Sequence, residues 1–503
     1  MSLKIIVDPD LFNKLMNKYV KKNKFIEKKD LLCVATNGIL DGKCTIAHVQ
    51  AKKGWTTEDK EILKLATIKG WTVAHIQASN GWTTEDKEIL KLANKYGQTV
   101  AHEQASKGWI TEDKEILMLA DNGGWTVAHE QASKGWITND KEILKLANEK
   151  GWTVAHEQAK RGWITTDKEI LKLADNEGWT VAHEIARRIQ IETQNWIIKD
   201  KEILKLANKW GWTVAHVQVQ QGWTTDDPEI LKLSTTWGWT VAHEQVKNGW
   251  TTENKEILKL AAKKGWKTGW TVAHEQANKG WITEDKEILM LATEDGWTVA
   301  HEQAKGGWKT KDKEILKLAD NEGWTVAHEQ AKNGWTTEDK EILKLANKDG
   351  WSVAHEQARQ GWTTEDKEIL ILADSKGWTV AHEQASKGWI TIYPEILLLT
   401  ATHPTSETVM TVFELICSYW TEQSKKTKVI EENKDQLAEF VMVLRNLKKL
   451  TNVNLNLSKN PFYVKFYHTV IRPNLIPVIE HKRFQLELVT KILNRVKKNK
   501  NLL

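Results

Sequence analysis

Residues 151–177 read GWTVAHEQAKRGWITTDKEILKLADNE, and from residue 178 the chain begins nearly the same sequence again. One histidine marks each of thirteen copies, at His48, His75, His102, His129, His156, His183, His216, His243, His274, His301, His328, His355 and His382. Neighbouring marker histidines lie 27 residues apart, with two exceptions of 33 and 31 residues, after His183 and His243. A fixed period between 20 and 50 residues is typical of a stacked repeat array.

The first half of each copy predicts a short helix. In TVAHEQAKRG, Thr153 is the preferred residue type for capping a helix N-terminus, and Gly162 is the type that ends one in the left-handed conformation. Ala155 and Ala159 lie four residues apart on one face of this helix. Small side chains there allow a neighbouring helix to approach closely.

The second half, residues 163–178, predicts a second, amphipathic helix. Its expected buried positions are Ile170, Leu171, Leu173 and Ala174. Two copies carry Pro228 or Pro394 where this copy has Lys168, and proline is tolerated only in the first turn of a helix, so the helix begins near that lysine. Helices this short are marginal alone, so stability must come from stacking the copies. At spacings of about 8–10 Å, thirteen copies would extend over roughly 100–130 Å.

The fold class predicted from these patterns is an all-α solenoid of about 13 stacked helix-turn-helix repeats with helical caps. Residues 1–40 are expected to form an N-terminal helical cap, with a helix over 8–23 and a degenerate second helix, KDLLCVA, at 29–35. The array occupies residues 41–400. Residues 401–503 form a basic helical domain or cap, with helix-like patterns over 408–420, 429–450 and 475–499.

The charge distribution is uneven along the chain. Residues 401–503 carry 17 Lys and Arg against 9 Asp and Glu, and residues 1–43 carry 9 against 5, of a total of 72 against 67. The remaining 46 basic and 53 acidic residues make the array mildly acidic. The net charge of +5 therefore does not by itself indicate nucleic-acid binding.

The cysteines and the apolar runs bear on the expected compartment. Cys33, Cys44 and Cys417 are widely separated and have no metal-binding or redox spacing, which favours a reducing compartment. No signal-peptide pattern and no window of 18 apolar residues is present. We expect a soluble cytoplasmic protein with no membrane partner.

The repeated histidines and tryptophans have a structural and a chemical interpretation. Equivalent histidines one repeat apart cannot share a metal ion, whose ligands lie about 2 Å from it, and a catalytic site copied thirteen times is implausible. No cofactor, metal site, catalytic residue or small-molecule substrate is therefore predicted. Most of the 28 tryptophans, exemplified by Trp152 and Trp163, are expected to pack between copies, although an exposed ladder could also stack nucleobases.

The phrase GWTVAHEQAKRG at residues 151–162 resembles the T-P-L-H-x-A stretch of the ankyrin repeat. The resemblance covers residues 41–400 and implies that Thr153 and His156 tie neighbouring loops together by hydrogen bonds. The unit has 27 residues where ankyrin repeats have 33, and Val154 replaces the ankyrin proline. The segment after the second helix is too short for the projecting β-hairpin finger of ankyrin repeats.

Departures from the repeat supply the candidate partner-binding residues. They lie in the insertion after His183, in tryptophans outside the repeat pattern with one neighbouring lysine, and in the basic C-terminal segment: Arg187, Arg188, Gln190, Glu192, Trp237, Trp266, Lys267, Lys448, Lys449, Lys482 and Arg483. Insertions in solenoids often mark the binding side, although tolerated loop extensions look the same.

The function predicted from these patterns is a non-enzymatic scaffold that recognises, and possibly sequesters or inhibits, a protein partner through an elongated repeat surface. One alternative is a nucleic-acid-binding solenoid that uses the tryptophan ladder and the basic termini. A weaker alternative is an array that delivers an unrecognised activity located in residues 401–503.

Overall fold

A computed structural model of the chain describes residues 6–7, 14, 33–34, 45–188, 197–265, 268–402, 408–451, 453 and 456–476. The chain forms two compact units, Met1–Trp250 and Thr251–Leu503. Each unit contains an α-solenoid in which a longer first helix and a shorter second helix alternate, and first helices of neighbouring copies pack against one another.

The first helix of a copy has seven residues in all but one case, where it has eight. In the unit Met1–Trp250 these helices are Ile46–Lys52, Val73–Ser79, Val100–Ser106, Val127–Ser133, Val154–Lys160, Val181–Arg188, Val214–Gln220 and Val241–Lys247. In the unit Thr251–Leu503 they are Val272–Asn278, Val299–Lys305, Val326–Lys332, Val353–Arg359 and Val380–Ser386.

The second helix of a copy is a single turn of four residues. In the unit Met1–Trp250 these helices are Lys60–Leu63, Lys87–Leu90, Lys114–Leu117, Lys141–Leu144, Lys168–Leu171, Lys201–Leu204 and Pro228–Leu231. In the unit Thr251–Leu503 they are Lys255–Leu258, Lys286–Leu289, Lys313–Leu316, Lys340–Leu343, Lys367–Leu370 and Pro394–Leu397.

Local capping explains where both helices begin. Thr153 Oγ1 accepts a hydrogen bond from the His156 backbone N–H at 3.3 Å, so the first helix begins at residue 154. Asp167 caps the second helix by accepting the Glu169 N–H at 2.9 Å. Pro228 is the first residue of its helix, as its missing N–H requires.

The second helix is shorter than the apolar pattern predicts. The expected buried stripe ran to Ala174, but the helix ends at Leu171, Leu173 is only half-buried and Ala174 is exposed. Ala174 instead pairs with Thr180 in an isolated antiparallel bridge across the turn that leads to the next copy. The backbone groups beyond Leu171 are therefore used to form this turn.

Within the array, the hydrophobic clusters lie between copies. One cluster joins side chains from three successive copies: Leu117, Ala128, Ala132, Ile143 and Val154, with Trp136 and Leu146 packed on its rim. The small residues of the first helix are fully buried, as their spacing predicts. A copy removed from the stack would expose both of its apolar faces, so neighbouring copies depend on one another for stability.

The turns between copies stack by backbone hydrogen bonds. The Asn176 N–H donates to the Lys150 carbonyl at 2.9 Å, one copy earlier, and the Thr236 N–H donates to the Trp210 carbonyl at 2.9 Å. The same bond recurs in the unit Thr251–Leu503, for example from Asn321 to Asp295. Equivalent turn residues of neighbouring copies consequently lie side by side along one edge.

Ion pairs link the second helices of neighbouring copies. Lys114 Nζ lies 2.6 Å from Asp140 Oδ2 and 3.0 Å from Glu142 Oε2 of the following copy. All three side chains are substantially exposed. Each pair is therefore worth little alone, but the repetition favours one register of stacking.

The described N-terminal residues form a short parallel pair, Ile6–Val7 with Cys33–Val34. The sequence predicted helix for residues 33 and 34, which occupy the positions of Lys172 and Leu173 in the repeat. Those positions lie beyond the second helix of the repeat, which explains the difference. Apart from Lys14, which is helical, the predicted helix over 8–23 lies outside the described residues, as do residues 29–32.

The C-terminal helices pack on the last copy within the unit Thr251–Leu503. Helix Val412–Glu422 contacts Val380–Ser386, and Trp420 Nε1 donates to the Gly388 carbonyl at 3.2 Å. Helix Lys434–Thr451 contacts Pro394–Leu397. The other elements are strands Thr400–Thr402 and Val409–Thr411, which pair antiparallel, α-helices Thr427–Glu432 and Pro461–Phe466, 3₁₀ turns Gln423–Lys425 and Leu457–Lys459, and π-helix Tyr467–Leu475.

The predicted C-terminal patterns are only partly matched by these elements. The first two patterns, over 408–420 and 429–450, overlap the helices Val412–Glu422, Thr427–Glu432 and Lys434–Thr451, although residues 409–411 are a strand. The third pattern lies outside the described residues beyond Ile476. No helix was predicted for residues 461–474, which are helical in the structure.

Candidate partner-binding surface

The repeated Thr and His form a hydrogen-bonded link between copies. His156 Nδ1 accepts the Thr153 N–H at 3.1 Å and lies 2.7 Å from Thr153 Oγ1. His156 Nε2 lies 3.0 Å from the Trp179 carbonyl oxygen of the next copy. Because Nδ1 accepts, the proton resides on Nε2, which donates to that carbonyl. The ring is therefore neutral, fully buried and fixed in one tautomer.

Burial is the main reason that these histidines resist protonation. It lowers the pKa of His156 to about 4, opposed by the bond to the Trp179 carbonyl. Burial likewise lowers the pKa to about 4 for His48, His75, His129, His183 and His216 in one unit and for His301, His328, His355 and His382 in the other. These neutral, buried histidines therefore have a structural role, because hydrogen bonds such as those of His156 link one copy to the next.

The tryptophan before the TVAH stretch is half-buried and packs beside the histidine of its own copy. The Trp152 and His156 ring centroids are 4.8 Å apart. Trp152 Nε1 also donates to the buried Glu157 carboxylate at 3.1 Å. The same indole-to-carboxylate bond joins Trp125 to Glu130, Trp239 to Glu244, Trp270 to Glu275, Trp297 to Glu302, Trp324 to Glu329, Trp351 to Glu356 and Trp378 to Glu383.

Replacing Trp152 with Phe is expected to lower the free energy of unfolding by about 1–2 kcal/mol, because it removes the indole donor from a buried carboxylate. Urea denaturation followed by circular dichroism measures the loss. Trp71→Phe is the matched control, since Ile76 occupies the position of Glu157 in that copy. Equal losses at the two positions would show that the hydrogen bond contributes nothing.

The second class of tryptophans follows the glycine that ends the first helix. Trp163 is half-buried and packs on the apolar cluster of its neighbours, as do Trp82, Trp109 and Trp136 on theirs. Gly162 has a φ of +98°, the left-handed conformation that allows this turn. Among the residues that the structure describes, both classes of tryptophan thus bury much of their surface, and neither forms an open ladder for bases.

Two exposed edges remain, one at each end of the first helix, and in unit Met1–Trp250 both carry apolar side chains. We call the first the turn edge, formed by the turns between copies, where Trp210 and Trp237 are 36% and 45% exposed. The Thr236 N–H bonds to the Trp210 carbonyl, which places the two tryptophans in adjacent turns. Lys209 Nζ lies 4.5 Å from the Trp210 ring centroid and pairs with Glu177.

The second edge, which we call the helix edge, is the glycine turn between the two helices of a copy. Its exposed apolar residues in this unit include Ile110, Ile137 and Ile164. Sequence reasoning named Trp237 but missed Trp210 and these isoleucines. For the isoleucines, the sequence did contain a signal. Other copies have threonine at the position of Ile110, such as Thr83 and Thr224, so an isoleucine there is a departure from the repeat.

Of the remaining predicted binding residues, the structure describes the side chains of Arg187 and Arg188 only. Arg187 lies at the end of helix Val181–Arg188, pairs with Glu184 at 3.1 Å and stacks 4.9 Å from the Trp179 ring centroid. Arg188 is exposed beside it. Those that lie outside the described residues are Gln190, Glu192, Trp266, Lys267, Lys482 and Arg483, and for Lys448 and Lys449 only the helical backbone is described.

Two searches of the described residues bear on other kinds of site. In the part of the chain that the structure describes, no group of three or more His, Cys, Asp or Glu side chains is placed to hold a metal ion. None of the helices described there combines the length and the apolar character that a membrane span requires.

Comparison with known proteins gives matches among solved structures only. No family model and no curated protein matches the chain. The chain resembles the ankyrin repeat domain of Bcl-3, described as a unique member of the IkappaB protein family, at 13% identity and a TM-score of 0.21, over 44% of this chain and 90% of that one. It also resembles a chain of the Bd0816 predatory endopeptidase from Bdellovibrio bacteriovorus in complex with immunity protein Bd3460, at 19% identity and a TM-score of 0.21, over 35% and 91%.

These TM-scores are too low to bear on fold or function. The ankyrin-like character of the repeat rests on its own geometry: a capped first helix, a Thr and His pair bonded to the next copy, and stacked turns between copies.

Proposed function

We propose that the chain is a non-enzymatic scaffold that binds a protein partner through the turn edge of the unit Met1–Trp250. The observation that carries this proposal is the exposed pair Trp210 and Trp237 in adjacent turns. Tryptophan is the residue type most enriched at the energetic centre of protein interfaces. A folded array gains nothing internally by leaving two large aromatic side chains this exposed.

The surroundings of the pair suit a protein partner. Lys209 and Glu177 beside Trp210 supply one charge of each sign at the rim. An apolar centre with a polar rim is the usual composition of a protein interface. Most other tryptophans of the array are half-buried and hydrogen-bonded or packed, which disfavours the nucleic-acid alternative, since base stacking needs open rings.

The test is affinity capture from native, nuclease-treated lysate of the source organism with the full chain, followed by mass spectrometry. We expect a specific protein to be retained by the wild type and lost from the double variant Trp210→Ala and Trp237→Ala. Alanine at a central aromatic residue commonly costs 2 kcal/mol or more of binding.

The matched control is Tyr96→Ala, which removes an exposed aromatic side chain from the equivalent turn of an earlier copy. Circular dichroism establishes that each variant remains folded. Retention of the same protein by the double tryptophan variant would place recognition elsewhere. Recovery of nucleic acid and no specific protein, when nuclease is omitted, would instead support a nucleic-acid-binding solenoid.

A further inference from the structure

The helix edge of the unit Met1–Trp250 carries a row of exposed isoleucines in three successive copies. Ile110, Ile137 and Ile164 are 58%, 57% and 46% exposed, although each directly follows a tryptophan that packs on the core. We call this row the isoleucine stripe. First helices of neighbouring copies pack directly, so the three side chains are spaced by one copy each, about 8–10 Å.

A basic residue accompanies every member of the stripe, three positions earlier. These residues are Lys107, Lys134 and Arg161, all exposed. Among the described residues, Lys107 and Lys134 have no ion-pair partner within 4.0 Å, and Arg161 reaches Glu157 at only 3.9 Å. The cations are therefore available to an outside group.

Copies of the same unit that lack the isoleucine mostly lack the cation as well. Thr83 is preceded by Asn80, and Thr224 by Gln221, although the first copy combines Lys53 with a threonine. The Asn80 amide donates to the Ala51 carbonyl of the preceding copy at 2.7 Å. The amide in that copy thus contributes to the stacking of repeats, whereas the cations of the stripe contribute little to it.

The backbone at the stripe is open to approach. A Cβ atom added at Gly108, Gly135 or Gly162 would meet nothing within 4 Å. Within the described part of the chain, the indole N–H groups of the adjacent tryptophans Trp109 and Trp136 donate to no protein acceptor, whereas the Trp82 indole donates to Glu58 at 3.1 Å. Each stripe copy therefore combines an apolar contact, a cation and an accessible turn.

We infer that the isoleucine stripe docks an amphipathic helix of a partner protein, with aliphatic residues every seven positions and Asp or Glu beside them. This inference rests on the proposed protein-binding function. Seven helical residues rise about 10.5 Å, close to the spacing of the copies, so one aliphatic side chain can meet each isoleucine. An extended strand would turn alternate side chains away.

The charge of the partner follows from the three cations, which attract carboxylates and repel a basic helix. The phosphates of a nucleic acid could also pair with the three cations, but the exposed isoleucines would then contact charged groups instead of apolar ones. An acidic helix with an aliphatic seam satisfies both rows, as helix-in-groove recognition does elsewhere.

The probe is a labelled, capped peptide of three heptads, with Leu at the first position, Glu at the fourth and fifth, and Ala or Gln elsewhere. Fluorescence anisotropy with the full chain measures its binding. We expect the triple variant Ile110→Thr, Ile137→Thr and Ile164→Thr to weaken binding about thirtyfold. A second triple variant, Lys107→Asn, Lys134→Asn and Arg161→Asn, should weaken binding and flatten its salt dependence. Both variants use residue types that other copies already carry.

The matched control is Ile282→Thr, which removes an equally exposed isoleucine outside the stripe and should leave binding unchanged. Peptides with Ser for Leu or Lys for Glu should not bind. The inference is overturned if the probe does not bind, if the isoleucine variant binds it equally, or if an RNA or DNA oligonucleotide displaces it more effectively. Self-association of the wild type that the isoleucine variant abolishes would assign the stripe to a second copy of the chain and also overturn it.

The outcome is separable from that of the proposed function. If affinity capture depends on Trp210 and Trp237 but the probe peptide does not bind, the scaffold function stands and this inference fails. If capture shows no protein partner, the scaffold function fails independently of the peptide.

Discussion

Lowering the pH from 7 to 5 is expected to unfold the unit Met1–Trp250. Six of its histidines have a pKa of about 4 when folded, against an ordinary value of 6.5, because they are buried, neutral and use Nδ1 as an acceptor. They are His48, His75, His129, His156, His183 and His216. The pKa of His102 is lowered for the same reason.

The sign follows from proton uptake by the unfolded chain. Well above pH 6.5, near pH 8, these histidines are neutral in both states and pH has almost no effect through them. Between about pH 6.5 and 4 the unfolded chain binds more protons, so the free energy of unfolding falls as the pH falls. At pH 5 each such histidine lowers the free energy of unfolding by about 2 kcal/mol, and six together lower it by about 12 kcal/mol. This loss is comparable with the whole stability of a typical domain.

Two carboxylates, the half-buried Glu103 and the buried Glu184, oppose this trend but do not reverse it. Burial raises the pKa of Glu103 and Glu184, so the folded unit also gains protons at acidic pH. The exposed carboxylates of the ion-pair ladder, such as Asp140, have a lowered pKa, and their contribution is lost at lower pH than that of the histidines. Above pH 4 the histidines therefore make the largest contribution to the pH dependence of the free energy of unfolding.

Urea denaturation followed by circular dichroism at pH 8, 7, 6 and 5 measures this effect. The midpoint should be nearly constant between pH 8 and 7 and then fall steeply. A midpoint at pH 5 equal to that at pH 7 would mean that the histidines are not held neutral by the hydrogen bonds described.

Replacing Gly151 with Ala is expected to destabilise the array by roughly 3 kcal/mol or more. Gly151 has a φ of +76°, and an added Cβ would lie 2.8 Å from the Asn176 backbone nitrogen. That nitrogen donates to the Lys150 carbonyl, so the collision falls on the hydrogen bond that stacks one turn on the next.

Gly162→Ala in the same copy is the matched control. Gly162 also has a positive φ, +98°, but an added Cβ there meets nothing within 4 Å. We expect this variant to lose about 1–2 kcal/mol of the free energy of unfolding, which is the cost of holding an alanine in the left-handed conformation. Thermal and urea denaturation of the two variants compare the losses. Equal losses would mean that the turn stack tolerates an extra methyl group and contributes little to the array.

Much of the fold is predictable from the sequence because one unit is repeated with few changes. Thr153, Gly162 and Pro228 each act through local backbone chemistry. The first helix begins after Thr153 and ends before Gly162, and one second helix begins at Pro228. The length of the second helix was not predictable in this way. The apolar spacing of Leu173 and Ala174 fits a helix, but both residues follow its end, and Ala174 pairs with Thr180. Periodicity alone does not reveal such a competing pairing.

The candidate surface was less predictable, because exposure depends on neighbouring copies. Trp210 and Trp239 are both tryptophans near a turn, yet only the first is exposed, since the second packs on His243 and bonds to Glu244. The sequence supplied Trp237 as a departure from the repeat. That Trp210 lies beside it follows only from the stacked turns.

Hydrogen exchange of the full chain, free and bound to its captured protein partner, tests the scaffold function most directly. We expect binding to slow amide exchange over residues 208–212 and 235–239, the turns that carry Trp210 and Trp237. Slowing confined to residues 412–476, with those turns unchanged, would contradict the account and place recognition on the C-terminal helices.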